Sequence, residues 1–189
     1  MDLKEFLNWR SQNHPNQMCL SRYVLENGSE IGSEPLTEEQ RDIVDYFLIH
    51  FEPKAKECFF NAMFCCMVAN RDSELASRIK YCEGFAECKS PFPVHHAWIT
   101  LDGKVVDLTL STTEHTLEEL TAFMEEGVDL PRKEDLSDRV LGEIPETWKY
   151  FGVEFDAKEI AKNFIERQKS FSVIDDWEQG WPLLTGEEE

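Results

Sequence analysis

The sequence predicts an α+β protein: amphipathic helices, one helix apolar on every side, and then an antiparallel sheet. Three observations carry that expectation. They are a capping-box pattern opening a helix at Thr37, a nearly wholly apolar run from Cys58 to Ala69, and two β-prone runs joined by Asp102-Gly103. Helices followed by a meander fit an α+β arrangement better than alternating βαβ units. With 189 residues, 41% of them hydrophobic and 30% charged, the chain reads as a single domain that buries roughly 70% of its unfolded surface. Its organisation reads as an N-terminal helical region over 1–53, a core over 54–112 and an acidic helical extension over 113–189.

Each element has a local cause. Leu3, Phe6, Leu7 and Trp9 share one side of a helix expected over Asp2 to Ser11. Asn13, Pro15, Asn16, Asn27 and Gly28 make Gln12 to Pro35 read as loop with short extended pieces. Thr37 and Gln40 then cap a helix whose apolar face holds Ile43, Val44, Phe47, Leu48 and Phe51, and Pro53 ends it. Between Cys58 and Ala69 only Asn61 is strongly polar, which predicts a helix covered on all sides, stopped by Asn70-Arg71-Asp72. Its Ala and Met content argues against a long buried strand.

Three strands follow in the reading: Ile79 to Ala86, Val94 to Leu101, and Lys104 to Leu110. Gly84 marks a bulge or a close backbone approach in the first. Asp102-Gly103 makes a two-residue hairpin between the other two. Beyond them, Thr116 with Glu119 and Asp156 with Glu159 open helices, the first closing at Gly127 and the second carrying Ile160, Phe164 and Ile165. Trp148, Tyr150, Phe151, Trp177 and Trp181 read as cover for the core.

The charge is lopsided. Thirty-eight acids against 19 bases give −19. Residues 1–110 hold 17 acids and 11 bases, whereas 111–189 hold 21 and 8. Such a surface repels phosphates and anionic lipid, so direct nucleic-acid binding or a membrane role is not expected; a basic protein partner is compatible with it. No apolar run reaches the roughly 20 residues that span a bilayer. The charged, amphipathic start MDLKEFLNWR lacks an apolar signal core, so the expectation is a cytoplasmic protein whose six cysteines are free thiols. Cys65 and Cys66 read as core packing.

The hairpin register places the candidate chemistry. A two-residue loop pairs Leu101 with Lys104, so Trp98 faces Asp107 and His96 faces Thr109. His96, Trp98, Thr100, Val105, Asp107 and Thr109 then share one face, while Ala97, Ile99, Leu101, Val106, Leu108 and Leu110 share the other with His95. Asp107 sits within V-V-D-L-T-L, where an unpaired carboxylate is costly to desolvate, and His96 is its nearest partner. Cys58 opens the buried helix, where unpaired amides and the positive end of the helix dipole favour a thiolate and can donate to an oxyanion. Cys58 is therefore the candidate nucleophile, His96 its base and Asp107 the orienting acid.

These residues resemble the transglutaminase-like branch of papain-fold enzymes. The resemblance lies in E-C-F-F-N-A (Glu57 to Ala62), Y-C-E-G-F-A (Tyr81 to Ala86), H-A-W (His96 to Trp98) and V-D-L-T (Val106 to Thr109), in that order. It implies a papain-like (transglutaminase-like) core in which a buried helix with the nucleophile at its N-terminus packs on the sheet, with the core over 54–112 as the catalytic one. It also implies a cysteine hydrolase or acyltransferase acting on a protein or peptide-like amide through Cys58, His96 and Asp107, with no metal or organic cofactor. Transamidation or deamidation by the same triad is the near alternative. An acidic binding protein occupying a basic or nucleic-acid-binding partner is the distant one.

Other readings of single residues stand beside these. His95 serves as base only if a bulge turns it from the aliphatic face. Cys82, Cys88, His95 and His96 make a poor zinc set, lacking a close cysteine pair. Cys58 could be an inert core thiol. Asn61 reads as a buried hydrogen bonder in preference to an orienter of active-site groups, and Glu83 as an edge-exposed carboxylate in preference to one facing the cleft, while His14, His50 and His115 stand alone.

Overall fold

The fold is given by a computed structural model that describes residues 2–13, 18–32, 34–88, 92–110, 142–167 and 172–174. Among them run helices α1 (Leu3–Asn13) and α2 (Met18–Asn27), strand β1 (Ser29–Ile31), helices α3 (Glu38–His50), α4 (Cys58–Ala69) and α5 (Ser73–Arg78), strands β2 (Ile79–Glu87), β3 (Val94–Leu101), β4 (Lys104–Val106) and β5 (Lys149–Asp156), and helix α6 (Ala157–Arg167). The strands form one curled antiparallel sheet in the order β1-β5-β2-β3-β4. The α+β class is therefore the one expected.

The local signals act as read at several places. Thr37 Oγ1 accepts from the Gln40 amide and the Gln40 side chain accepts from the Thr37 amide, closing the capping box of α3. Asp156 accepts from the amides of Lys158 and Glu159 and starts α6. At the hairpin tip, Asp102 (φ 53°) and Gly103 (φ 82°) both take left-handed conformations, as a two-residue turn matched to strand twist requires. Leu101 pairs with Lys104 as the register predicts. Arg78 grips both Asp102 and Glu39, and Gln40 also donates to Asp102, so the tip is tied to α3.

Three expectations need correction. Met18–Asn27 is helical where loop was read; its polar breakers lie at the two ends, and Leu20 and Val24 bury one face. Lys104 to Leu110 is a strand only to Val106. The Asp107 carboxylate accepts from the amides of Thr109 and Leu110, at 2.9 Å each, and winds the chain into a turn. Finally, the part beyond 112 is not wholly helical, because Lys149–Asp156 is a strand that pairs with β2 along its whole length. Tyr150, Phe151, Gly152 and Val153 are all buried, so β5 is covered on both faces and lacks the alternation that marks a half-exposed strand. The helix read from Thr116 to Gly127, and Trp177 and Trp181, lie outside the described residues.

Two apolar layers flank the sheet. On one side α4 packs across β3 and β2 and along α6. Its Ala62, Cys65 and Cys66 join Tyr81, Phe85, Ile99, Leu101 and Ile160, along with Val173 and Ile174. On the other side Ile31, Cys82, Ala86, Trp98, Val105 and Tyr150 form a smaller cluster. The row His96, Gly84, Gly152 runs across β3, β2 and β5. A Cβ at Gly84 would lie 2.2 Å from the Phe151 carbonyl oxygen, and one at Gly152 would lie 2.7 Å from the Trp98 ring. The close approach read at Gly84, to the β5 backbone, is thus real, and Gly152 leaves space that the Trp98 indole fills.

Gly84→Ala is expected to cost about 1–3 kcal/mol, because backbone must shift to admit the methyl group. Gly32→Ala, whose new methyl would meet only the Glu34 side chain at 3.5 Å, is expected to be neutral or slightly stabilising. Urea unfolding of the two variants checks the contrast, and equal losses would contradict it.

Candidate active site

Cys58 is the first residue of α4, and no side chain caps that helix at Glu57. The hydrogen-bond ladder begins with the Asn61 amide donating to the Glu57 carbonyl at 2.9 Å, which leaves the amides of Cys58, Phe59 and Phe60 outside it. The approach to the helix is held by Asn61. Its Oδ1 accepts from the Lys54 amide (3.1 Å), while its Nδ2 donates to the Lys54 carbonyl (2.8 Å) and to Thr109 Oγ1 (2.8 Å). One buried amide therefore ties the loop before Cys58 to the turn after Asp107. This is the structural role expected of it.

His96 lies on β3 on the face that also carries Trp98. Its Nε2 is 2.7 Å from Asp107 Oδ2. The β3–β4 ladder stops at Ile99, so the first half of β3 has no β4 neighbour. There the opening turn of α4 meets it: the Cys58 side chain lies near enough to His96 to help raise the pKa of its imidazole, and the Phe59 ring meets His95 at 5.4 Å between centroids. Since Nε2 is engaged by Asp107, Nδ1 is the nitrogen left for Cys58. The three side chains named from sequence are brought together, in the order sulfur, imidazole, carboxylate.

Asp107 is fully buried, at 0% exposure. Besides His96, it accepts from the Tyr150 hydroxyl at 2.8 Å and from the Thr109 and Leu110 amides. Burial alone would raise its pKa, but the His96 charge and hydrogen bond, with the Leu110 and Tyr150 donors, hold it below 3.8. Burial likewise works against a charged His96. The Asp107 carboxylate outweighs it, and with Cys58 nearby the imidazole is pushed up to about 10. The pair is an imidazolium–carboxylate near neutral pH. It is also well covered, for Cys58 is 9% and His96 4% exposed.

Tyr150 is core cover as read, but its bond to Asp107 escaped sequence reasoning because β5 did. Glu83 is a second miss and corrects the reading of it as an edge carboxylate. With β5 on its other side, β2 is an interior strand, and Glu83 is 0% exposed. It pairs with His95 Nε2 at 2.9 Å. His95 therefore stays on the α4 face, without a bulge, in the register expected. The loose zinc set is not assembled: His95 and His96 point to opposite faces, and Cys82 contacts Thr100. Among the described residues no group of three His, Cys, Asp or Glu side chains is placed to hold a metal ion, and no helix is long and apolar enough to cross a membrane. The described cysteines with defined side chains, Cys58, Cys65, Cys66, Cys82 and Cys88, are free thiols.

Comparison of the chain with protein-family models, with curated proteins and with solved structures finds no match.

The pKa directions set a pH window. His96 is raised above 6.5 to about 10, so its contribution is complete below 6.5 and is lost as pH climbs toward about 10. Asp107 is lowered below 3.8, so its contribution is complete above 3.8 and is lost as pH falls through the lowered value. Asp107→Asn is expected to destabilise by about 3–5 kcal/mol between those limits, since it strands a buried imidazolium. The difference from wild type should shrink toward pH 10 and toward strong acid. Denaturation curves across that range test this, and a difference independent of pH would contradict it.

Proposed function

We propose that this protein is a cysteine-dependent acyl-transfer enzyme with a papain-like, transglutaminase-like arrangement of its core. It would act on an amide of a protein or peptide-like substrate. The observation that carries the reading is a buried imidazole, 2.7 Å from a buried carboxylate, with the Cys58 thiol near it at an uncapped helix start.

In the proposed sequence the Cys58 thiolate attacks the amide carbonyl carbon, and the carbonyl π pair moves to oxygen. Amides at the start of α4 donate to that oxyanion. As the tetrahedral intermediate collapses, the C–N bond breaks, His96 Nδ1 gives its proton to the leaving nitrogen, and a thioester with an amine product results. Neutral His96 then takes a proton from water, whose oxygen attacks the thioester; Cys58 leaves as thiolate and the acid product departs. An amine in place of water gives transamidation, and a glutamine side chain as acyl donor with water gives deamidation. Asp107 orients the ring and stabilises the imidazolium throughout, and its other donors keep it from rotating. The mechanism requires no metal or organic cofactor.

The burial of Cys58 and His96 favours a second reading, in which the three side chains are only a packed polar cluster in an acidic protein that binds a basic partner. Salt-sensitive capture on basic ligands separates the two, since that reading has wild type and Cys58→Ala behaving alike in every assay.

Burial pushes the pKa values of Cys65, Cys66 and Cys82 upward. Iodoacetamide at neutral pH should therefore modify Cys58 ahead of those three, as read by peptide mass spectrometry. His96→Gln is expected to slow that modification by about 10²-fold or more, and Cys58→Ala to abolish trapping of acyl adducts from amide substrates. Labelling of Cys58 only after denaturation, together with Cys65 and Cys66, would contradict the mechanism.

A further inference from the structure

The mechanism leaves one buried carboxyl group unused. Glu83, in the middle of β2, faces α4 and collects a set of partners from distant parts of the chain. His95 Nε2 lies 2.9 Å from its Oε1, the Tyr81 hydroxyl donates to Oε2 at 3.0 Å, the Val173 amide donates to Oε2 at 2.8 Å, and the Ser172 hydroxyl also binds Oε1. A carboxyl group at this depth is costly to desolvate, and an apolar residue would fill the position at lower cost. Its partners lead to the nucleophile. His95 meets Phe59, the residue after Cys58, edge to face at 5.4 Å and lies 5.7 Å from the Phe85 ring. Tyr81 is close enough to Cys58 to feel its charge.

The first turn of α4 thus rests against two neighbouring histidines of β3, each bound by its own carboxyl group. His96 and Asp107 meet it on one face of the strand, His95 and Glu83 on the other. The first pair lies beside Cys58 itself. The second touches only its neighbour, Phe59, and so bears on how the turn sits. Among the described residues Glu83 is the polar anchor of the His95 ring; without it the ring is held by packing alone, and Phe59 loses a fixed wall.

We propose that Glu83 is a positioning residue for the nucleophile: by fixing the His95 ring against Phe59, it sets how the first turn of α4 presents Cys58 to His96. The proposal rests on the acyl-transfer reading and adds to it a residue outside the triad. Displacement of a reacting atom by a fraction of an ångström to an ångström is enough to change a rate severalfold to a hundredfold.

The test is the rate of Cys58 alkylation by iodoacetamide, measured against pH on folded protein, in Glu83→Ala, Glu83→Gln, His95→Leu and the Glu83→Ala/His95→Leu double variant. Glu83→Ala and His95→Leu are each expected to slow alkylation by about tenfold and to change the pH profile. Glu83→Gln, which keeps an acceptor oxygen and gains an N–H, is expected to restore most of the rate. In the His95→Leu background, Glu83→Ala should change the rate by less than about twofold, since it acts through the residue already removed. If Glu83→Ala fails to fold, His95→Leu leaves the other bonds of Glu83 in place and decides the matter alone. Variants that melt earlier yet keep the wild-type rate and pH profile, or effects that multiply in the double variant, overturn the proposal. His96→Gln serves as the control. If it slows alkylation while the Glu83 and His95 variants do not, only the positioning role fails; if it too has no effect, the acyl-transfer reading fails and takes this role with it.

Discussion

The buried Asp107 carboxylate is the constraint on which this arrangement turns. A carboxylate with no exposed surface is tolerated only where donors converge on it, and here they come from three parts of the chain: His96 on β3, Tyr150 on β5, and the amides of Thr109 and Leu110 just beyond it. Each donor does something for the architecture. The two amides end β4 and start the turn. That turn presents Thr109 to Asn61, and Asn61 holds the loop leading into Cys58. Satisfying one charge therefore places the imidazole, stops a strand and steadies the helix start.

The sheet supplies the rigidity this requires. Because β5 inserts between β1 and β2, β2 is an interior strand, and its Glu83 and Gly84 become buried neighbours of the site. Gly84 and Gly152 lie side by side in the row that ends at His96; Gly84 lets β2 lie close against the β5 backbone, and the missing side chain of Gly152 lets the Trp98 indole lie across β5, edge-on to Tyr150 at 4.9 Å. The aromatic wall behind His96 thus depends on a residue that contributes no side chain. On the opposite face the apolar body of α4 is held by β3 and α6, so only its first turn reaches polar surroundings.

Much of this was legible in order along the chain. The bounds of α4 and β3 follow from local composition, and the Asp102-Gly103 turn from the backbone conformations its residue types favour. From that turn the hairpin register follows by alternation as far as the Ile99–Val106 pair, and Asp107, one residue beyond, meets His96 from the turn that follows. The early end of β4 was not legible, because V-V-D-L-T-L is a good strand until the carboxylate captures its own amides. β5 was hidden for a different reason: a strand covered on both faces carries no alternating pattern, and K-Y-F-G-V-E-F-D stands in an acidic stretch that otherwise reads as helical.

The sequence by itself determined what short-range physics controls: the helix caps at Thr37 and Asp156, the two-residue hairpin, the apolar helix beginning at Cys58, and the face on which each side chain paired in the β3–β4 ladder projects. Tertiary structure alone decided which distant groups complete the site. Tyr150 reaches Asp107 across 43 positions and Val173 reaches Glu83 across 90. Contacts at that separation depend on strand order and sheet curl, which no local pattern encodes, because loop closure over such lengths costs almost the same for many alternative pairings.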